Sequence, residues 1–170
     1  MYWQLTDEVF WGDYRSLSEL KDRVGSVICL CNNGELIKLG YNPIILPYHV
    51  RYFRMSERDL AYPNDRYFES LKDIIMVALR YKPLLVHCFI GQHRSPIVAL
   101  MAAIIDSKDY SMENYESTLA KILQLRKECA EILHFNFTQS AQSWMKKNII
   151  HSKINISNKL EEIQKQIIIS

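Results

Sequence analysis

The amino-acid sequence predicts an α/β fold: a central, mostly parallel sheet flanked by helices, with a helical C-terminal half. Strand-like runs alternate with helix-like segments in the front half, and helical periodicity dominates after residue 95. The run PLLVH at 83–87 is apolar up to its histidine, which is typical of a central parallel strand. A chain of 170 residues suffices for one domain with a full core. We therefore predict one domain over 1–150 and a C-terminal helix or tail over 151–170.

Three apolar runs bounded by turn residues predict the strands of the front half. They are EVFWG at 8–12, SVICLC at 26–31 and PIILPY at 43–48. Residues 16–24 predict a short helix with Ser16 near its N-terminal cap. The NNGE run at 32–35 predicts a turn, and the stretch 51–64, which has no clear period, predicts a long loop.

Helical periodicity begins at Asp65, after which five apolar residues share one face. They are Phe68, Leu71, Ile74, Ile75 and Leu79. Pro96 is expected as the first residue of the helix SPIVALMAAII, and further helices are predicted over 111–128 and 138–148. Near the C-terminus, apolar residues spaced by four, three and four positions predict a last amphipathic helix: Ile156, Leu160, Ile163 and Ile167. That helix either packs on the body or binds a partner or a second copy.

Composition narrows the function classes. A net charge of +2 gives no basic surface for nucleic acid, and no apolar run is long enough to span a bilayer. The N-terminus lacks the pattern of a signal peptide, and the four cysteines do not suggest a disulfide scaffold. A reducing, cytoplasmic location is therefore expected. The Lys-, Ile- and Asn-rich tail suggests an AT-rich genome, and for a virus or intracellular microbe the expected location is the host cytosol.

The run VHCFIGQHRSP at 86–96 carries most of the functional information. It places Arg94 six residues after Cys88, between the predicted central strand and the next helix. A loop of this length can point its backbone N–H groups at an anion, at the positive end of the helix dipole. The field that binds phosphate also stabilises a thiolate, which is the nucleophilic form of cysteine. The planar guanidinium of Arg94 can bind two phosphate oxygens.

Further residues of the run fit the same chemistry. Gly91 permits a tight turn or a positive φ inside the loop. The Ser95 hydroxyl can hydrogen-bond to the Cys88 sulfur and ease its departure from a phosphoenzyme, and the His87 ring nitrogens can order the loop. With Gly91, four side chains are expected to line the mouth and contact the substrate: Phe89, Ile90, Gln92 and His93.

This run resembles the signature loop of the cysteine-based protein tyrosine phosphatases, and the layout of the chain resembles their dual-specificity branch. The similarity extends over roughly residues 8–145. It implies that 1–150 is a catalytic domain that removes phosphate from tyrosine in proteins, and it leaves activity on serine or threonine open. The implied reaction passes through a cysteinyl phosphate and needs no metal or other cofactor. A phosphorylated protein is the implied partner.

The resemblance also implies an aspartate on an upstream loop, which protonates the leaving oxygen and later activates water. Asp59 lies 29 residues before Cys88 in the unpatterned stretch and matches the position of the family's acid to within a residue or so. Asp65 lies 23 residues before Cys88 and is the alternative, although a carboxylate at a helix start also has a structural explanation. Glu57 is a third candidate.

Other functions stay open at this stage. The substrate can be a phosphoinositide or an RNA 5′-phosphate end, but the loop lacks the lysines of phosphoinositide-directed relatives. A non-catalytic phosphoprotein-binding module is a further alternative. His93 occupies a position where the family usually has a smaller residue, and this departure bears on fine specificity.

Cys29 and Cys31 share one face of a predicted strand, and buried structural thiols are the first expectation. By its resemblance to the family, Cys31 aligns with a strand-end cysteine of the phosphoinositide-phosphatase branch. In that branch, the cysteine can trap the oxidised nucleophile as a disulfide. The resemblance therefore implies a Cys31–Cys88 redox switch. Two cysteines one residue apart, without clustered histidines, are a poor zinc site, and we predict no metal.

Overall fold

The computed structural model describes residues 1–38, 47–58, 60–132 and 136–151. The strands within this part are β1 (Tyr2–Gln4), β2 (Val9–Gly12), β3 (Ser26–Cys29), β4 (Arg51–Arg54) and β5 (Leu84–His87). The α-helices are α1 (Ser16–Leu20), α2 (Asn33–Lys38), α3 (Asp65–Ala78), α4 (Arg94–Ser107), α5 (Met112–Leu125) and α6 (Asn136–Asn148). Short 3₁₀ helices cover Leu79–Tyr81 and Lys127–Ile132.

The strands form one sheet in the order β1-β2-β5-β3-β4, and β5 is its central strand. Only β1 pairs antiparallel, so the predicted fold class is confirmed. His87 at the end of β5 lies opposite Gly12 on one side and Cys29 on the other. Because these three strands run in parallel, their carboxyl ends meet at one edge, where ligands bind in open α/β sheets.

Alternating side chains give the two faces of the sheet different partners. On one face, Leu84, Val86 and Ile28 belong to the main core with α3, α4, α5 and α6. On the other face, Leu85 and Val27 pack against α1. Helix α4 is buried from Arg94 through Ile104, as expected for a helix surrounded by the sheet and other helices.

Most elements lie where the sequence predicts them. The strands at 8–12, 26–31 and 83–87 and the helices α3, α5 and α6 are confirmed within a few residues. Helix α1 ends at Leu20, four residues early. Helix α4 begins at Arg94, so Pro96 is its third residue and not its first. N–H groups of the first turn have no partner inside a helix, so proline is tolerated there.

One prediction of irregular structure is wrong, and a second is wrong for its first four residues, with the other described residues of that loop irregular as predicted. The turn predicted at 32–35 opens α2, because Asn32 Oδ1 accepts the Glu35 N–H (3.0 Å) and Glu35 Oε2 accepts the Asn32 N–H (2.8 Å). This reciprocal pair is a capping box. The loop predicted at 51–64 contains β4, which pairs in parallel with β3. The strand forms because it pairs with β3, which is distant in the sequence. The four residues have no clear hydrophobic period of their own, so the sequence does not indicate a strand there.

Several predictions fall outside the described residues: positions 43–46 of the strand predicted at 43–48, the candidate acid Asp59, and the amphipathic helix of the C-terminal tail. Among the helices that the structure describes, none is long and apolar enough to cross a membrane.

Candidate active site

The Cys88 loop, defined as residues 88–94, joins the end of β5 to the start of α4. Cys88 is only 1% exposed. Its sulfur accepts the Gly91 N–H at 3.2 Å and lies 3.3 Å from the Ser95 hydroxyl, so the predicted contact with Ser95 is present. The loop therefore folds around the sulfur, with the N-terminus of α4 directly behind it.

The turn at Gly12 and Asp13, which follows β2, braces this loop. The Gly12 carbonyl accepts the Cys88 N–H (3.2 Å) and the Ser95 hydroxyl (3.2 Å). Ser95 has one hydroxyl proton, so it can donate to the Gly12 carbonyl or to the Cys88 sulfur, but not to both at once. When Cys88 is a thiolate, the same proton can turn to the sulfur.

Gly91 has the positive φ expected from the sequence, at +75°. A Cβ atom at Gly91 would lie 2.5 Å from the Asp13 nitrogen and 2.6 Å from the Gly12 carbonyl carbon. Both atoms are backbone and cannot rotate away, so the position requires glycine for its conformation and for its space.

Arg94 lies at the other end of the loop and is 1% exposed. Its guanidinium forms a bidentate pair with Glu35, through Nη1–Oε2 at 3.0 Å and Nη2–Oε1 at 2.7 Å. Nη1 also donates to the carbonyls of Leu30 (3.0 Å) and Glu57 (2.6 Å). The Arg94 guanidinium, which the sequence predicts to bind phosphate, thus pairs with the Glu35 carboxylate of α2 in this structure.

Sequence reasoning missed Glu35. Its carboxylate also caps the start of α2 through the Asn32 N–H, and its side chain is 19% exposed. The Asn-x-x-Glu spacing at 32–35 is the signal that could have revealed the helix start. The contact with Arg94 spans 59 residues of sequence and has no local signal.

His87 does not order the Cys88 loop as predicted. Neither ring nitrogen has a hydrogen-bond partner of standard geometry in the described part of the chain, and the residue is 2% exposed. Because neighbouring side chains on a strand point to opposite faces, the imidazole lies on the face opposite Cys88. There it lies beside Cys29 and Cys31, which are both fully buried.

The two thiols beside His87 influence each other. A hydrogen bond from Cys31 lowers the pKa of Cys29, and His87 acts in the same direction. The same interaction raises the pKa of Cys31, and burial adds to the rise. The expectation of buried cysteines is confirmed, and all four cysteines are free thiols. The sequence places no histidine close to these cysteines in the chain. The pairing of β3 with β5, which the sequence does not reveal, places His87 beside them.

The segment around the candidate acid is tied to its surroundings on both sides of position 59. The Ser56 hydroxyl donates to the Cys31 carbonyl (2.9 Å), and the Glu57 carbonyl accepts from Arg94. On the far side, Asn136 Nδ2 donates to the Leu60 carbonyl at 2.7 Å. The hydroxyl of the half-buried Tyr67, whose pKa is raised by desolvation, donates to the Met55 carbonyl at 2.8 Å.

Asp65, the alternative acid, is exposed in the first turn of α3, behind the capping residue Asn64. It lines a surface cleft with Phe68 of α3 and Gln139 and Trp144 of α6. No residue of the Cys88 loop lines that cleft.

The rim of the loop carries the residues expected there. Phe89, Gln92 and His93 are half-buried, and Ile90 is exposed. Tyr14, which sequence reasoning did not identify, stacks on Phe89 with ring centroids 5.7 Å apart. The Tyr14 N–H also donates to the Phe89 carbonyl (3.3 Å), so the aromatic pair is fixed to the mouth of the loop.

Solved structures resemble this arrangement over most of their lengths. Human DUSP28 superposes with a TM-score of 0.62 at 15% identity, covering 85% of this chain and 92% of that chain. The human tyrosine phosphatase-like serine/threonine/tyrosine-interacting protein gives 0.62 at 22% identity, with coverages of 83% and 93%. OH1 from the Orf virus, a tyrosine phosphatase with triple substrate specificity, gives 0.56 at 14% identity, with coverages of 88% and 86%.

The sequence itself matches no family model and no curated protein. The likeness is one of fold. The chain therefore has the fold of the dual-specificity and tyrosine phosphatases.

Proposed function

We propose that this chain is a cysteine-dependent protein phosphatase that acts on phosphotyrosine and also on phosphoserine or phosphothreonine. The observation that carries the proposal is the environment of the Cys88 sulfur. A nucleophile at a helix N-terminus, contacted by the Gly91 N–H and the Ser95 hydroxyl, with Arg94 at the end of the loop, suits attack on a phosphate.

In the first step, the Cys88 thiolate attacks phosphorus, so a P–S bond forms as the P–O bond to the substrate breaks. Asp59 donates its proton to the departing oxygen. The N–H groups of the loop and the Arg94 guanidinium stabilise the charge that gathers on the phosphoryl oxygens.

In the second step, water attacks the cysteinyl phosphate and the P–S bond breaks. Asp59, now a carboxylate, accepts a proton from that water, and inorganic phosphate leaves. The electron pair of the broken bond returns to sulfur, where the Ser95 hydroxyl donates a hydrogen bond to the thiolate. The contact between Ser95 and Cys88, 3.3 Å long, supports this role.

Arg94 has to exchange partners during this cycle. Its guanidinium pairs with Glu35 in the structure, so a phosphoryl group must compete with that carboxylate or share the guanidinium with it. A dianionic phosphoryl group offers more charge and more acceptor oxygens than one carboxylate, which favours the exchange. Glu35 thereby keeps Arg94 ordered and charge-balanced before substrate binds.

Asp59 is our choice of acid because of its neighbours in sequence. Two residues earlier in the sequence, the Glu57 carbonyl accepts a hydrogen bond from Arg94, so the segment that leads to Asp59 contacts the end of the Cys88 loop. Asp65, by contrast, lines a cleft with α6 residues and none from that loop. Glu57 contacts Arg94 through its carbonyl, and its carboxylate accepts the Arg58 N–H at 2.8 Å.

Phosphoproteins of a reducing, cytosolic compartment are the proposed substrates, because oxidation would disable a thiolate nucleophile. The rim is uncharged at the aromatic pair Tyr14 and Phe89 and at the aliphatic Ile90, which suits a peptide side chain better than a highly charged lipid headgroup.

Turnover of a small aryl phosphate in the presence of a chelator tests the proposal. We expect metal-independent hydrolysis that falls by at least about 10⁴-fold in Cys88→Ser, since the serine hydroxyl is a far weaker nucleophile. Cys129→Ser, another buried cysteine, is the matched control and should retain activity. Hydrolysis that survives Cys88→Ser would overturn the mechanism.

The acid is tested with a pair of variants. Asp59→Ala should reduce kcat by about 10²–10⁴-fold for a poor leaving group and much less for a nitrophenol, which needs no proton. Asp65→Ala should leave both rates within about twofold. The reverse ranking would assign the acid to Asp65.

Phosphoprotein binding without turnover is the second candidate. One neighbour in fold carries the name of a phosphatase-like interacting protein. Under this alternative, the wild-type chain binds a phosphopeptide but releases no phosphate over hours. Stoichiometric phosphate release would reject it.

A further inference from the structure

Three potential ligands meet on the side of the sheet that the proposed reaction does not use. Cys29, Cys31 and His87 have their sulfur and nitrogen atoms within 4.8 Å of one another. The two cysteines are fully buried and His87 is 2% exposed. We call these three residues the Cys2His cluster.

The fold builds this cluster from two strands. Cys29 lies directly opposite His87 in the parallel pairing of β3 and β5. Cys31 follows two residues later and returns to the same face because the strand period is two. Leu36 is buried beside the cysteines, and Tyr52 and Phe89 are packed against them, so the surroundings are mostly apolar.

His87 is the unusual member. A buried imidazole normally has a hydrogen-bond partner, yet neither of its nitrogens has one of standard geometry among the described residues. Both cysteines are free thiols, although their sulfurs are close together. The cluster thus holds three soft or borderline donor atoms that face one another, and their mutual contacts are what a bound metal would replace.

We propose that the Cys2His cluster binds a thiophilic d¹⁰ cation, Zn²⁺ or Cu⁺. Thiolate and imidazole donors select these ions, and no carboxylate belongs to the cluster. Zinc bonds of about 2.3 Å to sulfur and 2.0–2.1 Å to nitrogen place neighbouring ligand atoms about 3.5–3.8 Å apart. The present separations, all within 4.8 Å, exceed these values by little more than about 1 Å.

The two ions meet different needs of the cluster. Two thiolates and a neutral imidazole give a Zn²⁺ complex no net charge, which favours zinc in a buried site. Zinc also requires a fourth ligand, whereas three ligands satisfy Cu⁺ at the cost of one buried negative charge. The shared chemistry is a dithiolate–imidazole site, and the identity of the ion is an outcome of the test.

Binding would fix the strand end that carries the nucleophile. His87 immediately precedes Cys88, and the metal would join β5 to β3 at that point. Burial means that the ion enters during folding or through local opening. The proposal does not require phosphatase activity, so failure of the proposed function would leave it standing.

The experiment measures metal in the full chain, expressed with zinc or copper supplementation and purified under reducing conditions. We expect about one ion per chain by mass spectrometry of the metals. Cys31→Ser should lower it at least tenfold, whereas Cys129→Ser and Cys88→Ser should retain it. Metal that persists in Cys31→Ser, or that disappears in Cys88→Ser, would overturn the proposal, as would a wild type that holds neither metal.

A wild-type measurement guards against a Cys31→Ser variant that fails to fold. X-ray absorption at the metal edge should give two sulfur ligands at about 2.3 Å and at least one nitrogen near 2.0–2.1 Å. Thermal unfolding should shift upward by roughly 5–10 °C when free metal exceeds Kd by about 100-fold. A shell made only of nitrogen and oxygen would overturn the proposal even if metal co-purifies.

Discussion

The two ends of the Cys88 loop are held in different ways. At the sulfur end, Cys88 contacts Gly91 and Ser95, which lie three and seven residues away in sequence. At the guanidinium end, Arg94 contacts Leu30, Glu35 and Glu57, which lie 64, 59 and 37 residues away. The hydrogen bonds to the sulfur are therefore local, with Gly12 bracing the loop from a distant strand, whereas the folded sheet and α2 position the phosphate-binding cation.

The two ends of the loop therefore depend on different parts of the protein. The loop between β5 and α4 is braced by the turn at Gly12 and Asp13, whereas the Arg94 fork requires β3, α2 and the segment after β4 to be in place. We therefore expect changes at the guanidinium end to affect substrate binding and stability together. Changes at the sulfur end should act on the loop itself.

The largest expected effect is that of Arg94→Lys. Lysine keeps the charge but loses the planar fork that pairs with Glu35 and that we propose binds phosphate. We expect kcat/KM on an aryl phosphate to fall by about 10²–10³-fold. Steady-state kinetics measure this, with unfolding by urea as the control for stability. A decrease below about fivefold would mean that loop N–H groups alone hold the phosphate.

Gly91→Ala tests the sulfur end. The added methyl group meets Asp13 nitrogen at 2.5 Å, and φ is +75°, so the turn and the loop must separate. We expect a loss of about 2–3 kcal/mol in the free energy of unfolding and a matching loss of activity. Gly34→Ala, in α2, is the matched control because its Cβ meets only Asn32 Oδ1 at 3.3 Å. Equal effects of the two variants would contradict the strain argument.

The sequence predicts features that depend on neighbouring residues in the chain, and it does not predict contacts between distant ones. The Cys88 loop, its positive φ at Gly91 and the contact of Ser95 with sulfur were predictable because strand, loop and helix are consecutive in the chain. Glu35 and the Cys2His cluster were not, because both arise where separate strands come into register. His87 was misassigned for this reason: its position in sequence suggests the loop, but strand alternation turns it to the opposite face.

Glu35→Gln tests whether Glu35 supports Arg94 or competes with phosphate for it. Glutamine keeps the size but loses the charge, and it can accept only one guanidinium hydrogen bond. We expect a loss of about 1–2 kcal/mol in unfolding free energy, reduced by the partial exposure of the carboxylate. We also expect kcat/KM to fall by roughly tenfold, less than for Arg94→Lys. Tighter inhibition by inorganic phosphate with undiminished kcat would instead identify Glu35 as a competitor.

The smallest effect concerns Asp13, whose backbone braces Gly91 at the sulfur end. Burial opposes ionisation of its carboxyl, but hydrogen bonds from Arg15 and the Met1 amine outweigh it and lower the pKa of Asp13. A lowered pKa means that the stabilisation is complete above the ordinary value of about 3.9 and is lost as the pH falls through the folded value. Asp13→Asn should therefore cost about 1 kcal/mol at pH 7, and the difference from wild type should shrink below about pH 4. Urea unfolding at both pH values measures this, and a difference that stays constant would show that Asp13 acts through packing and neutral hydrogen bonds.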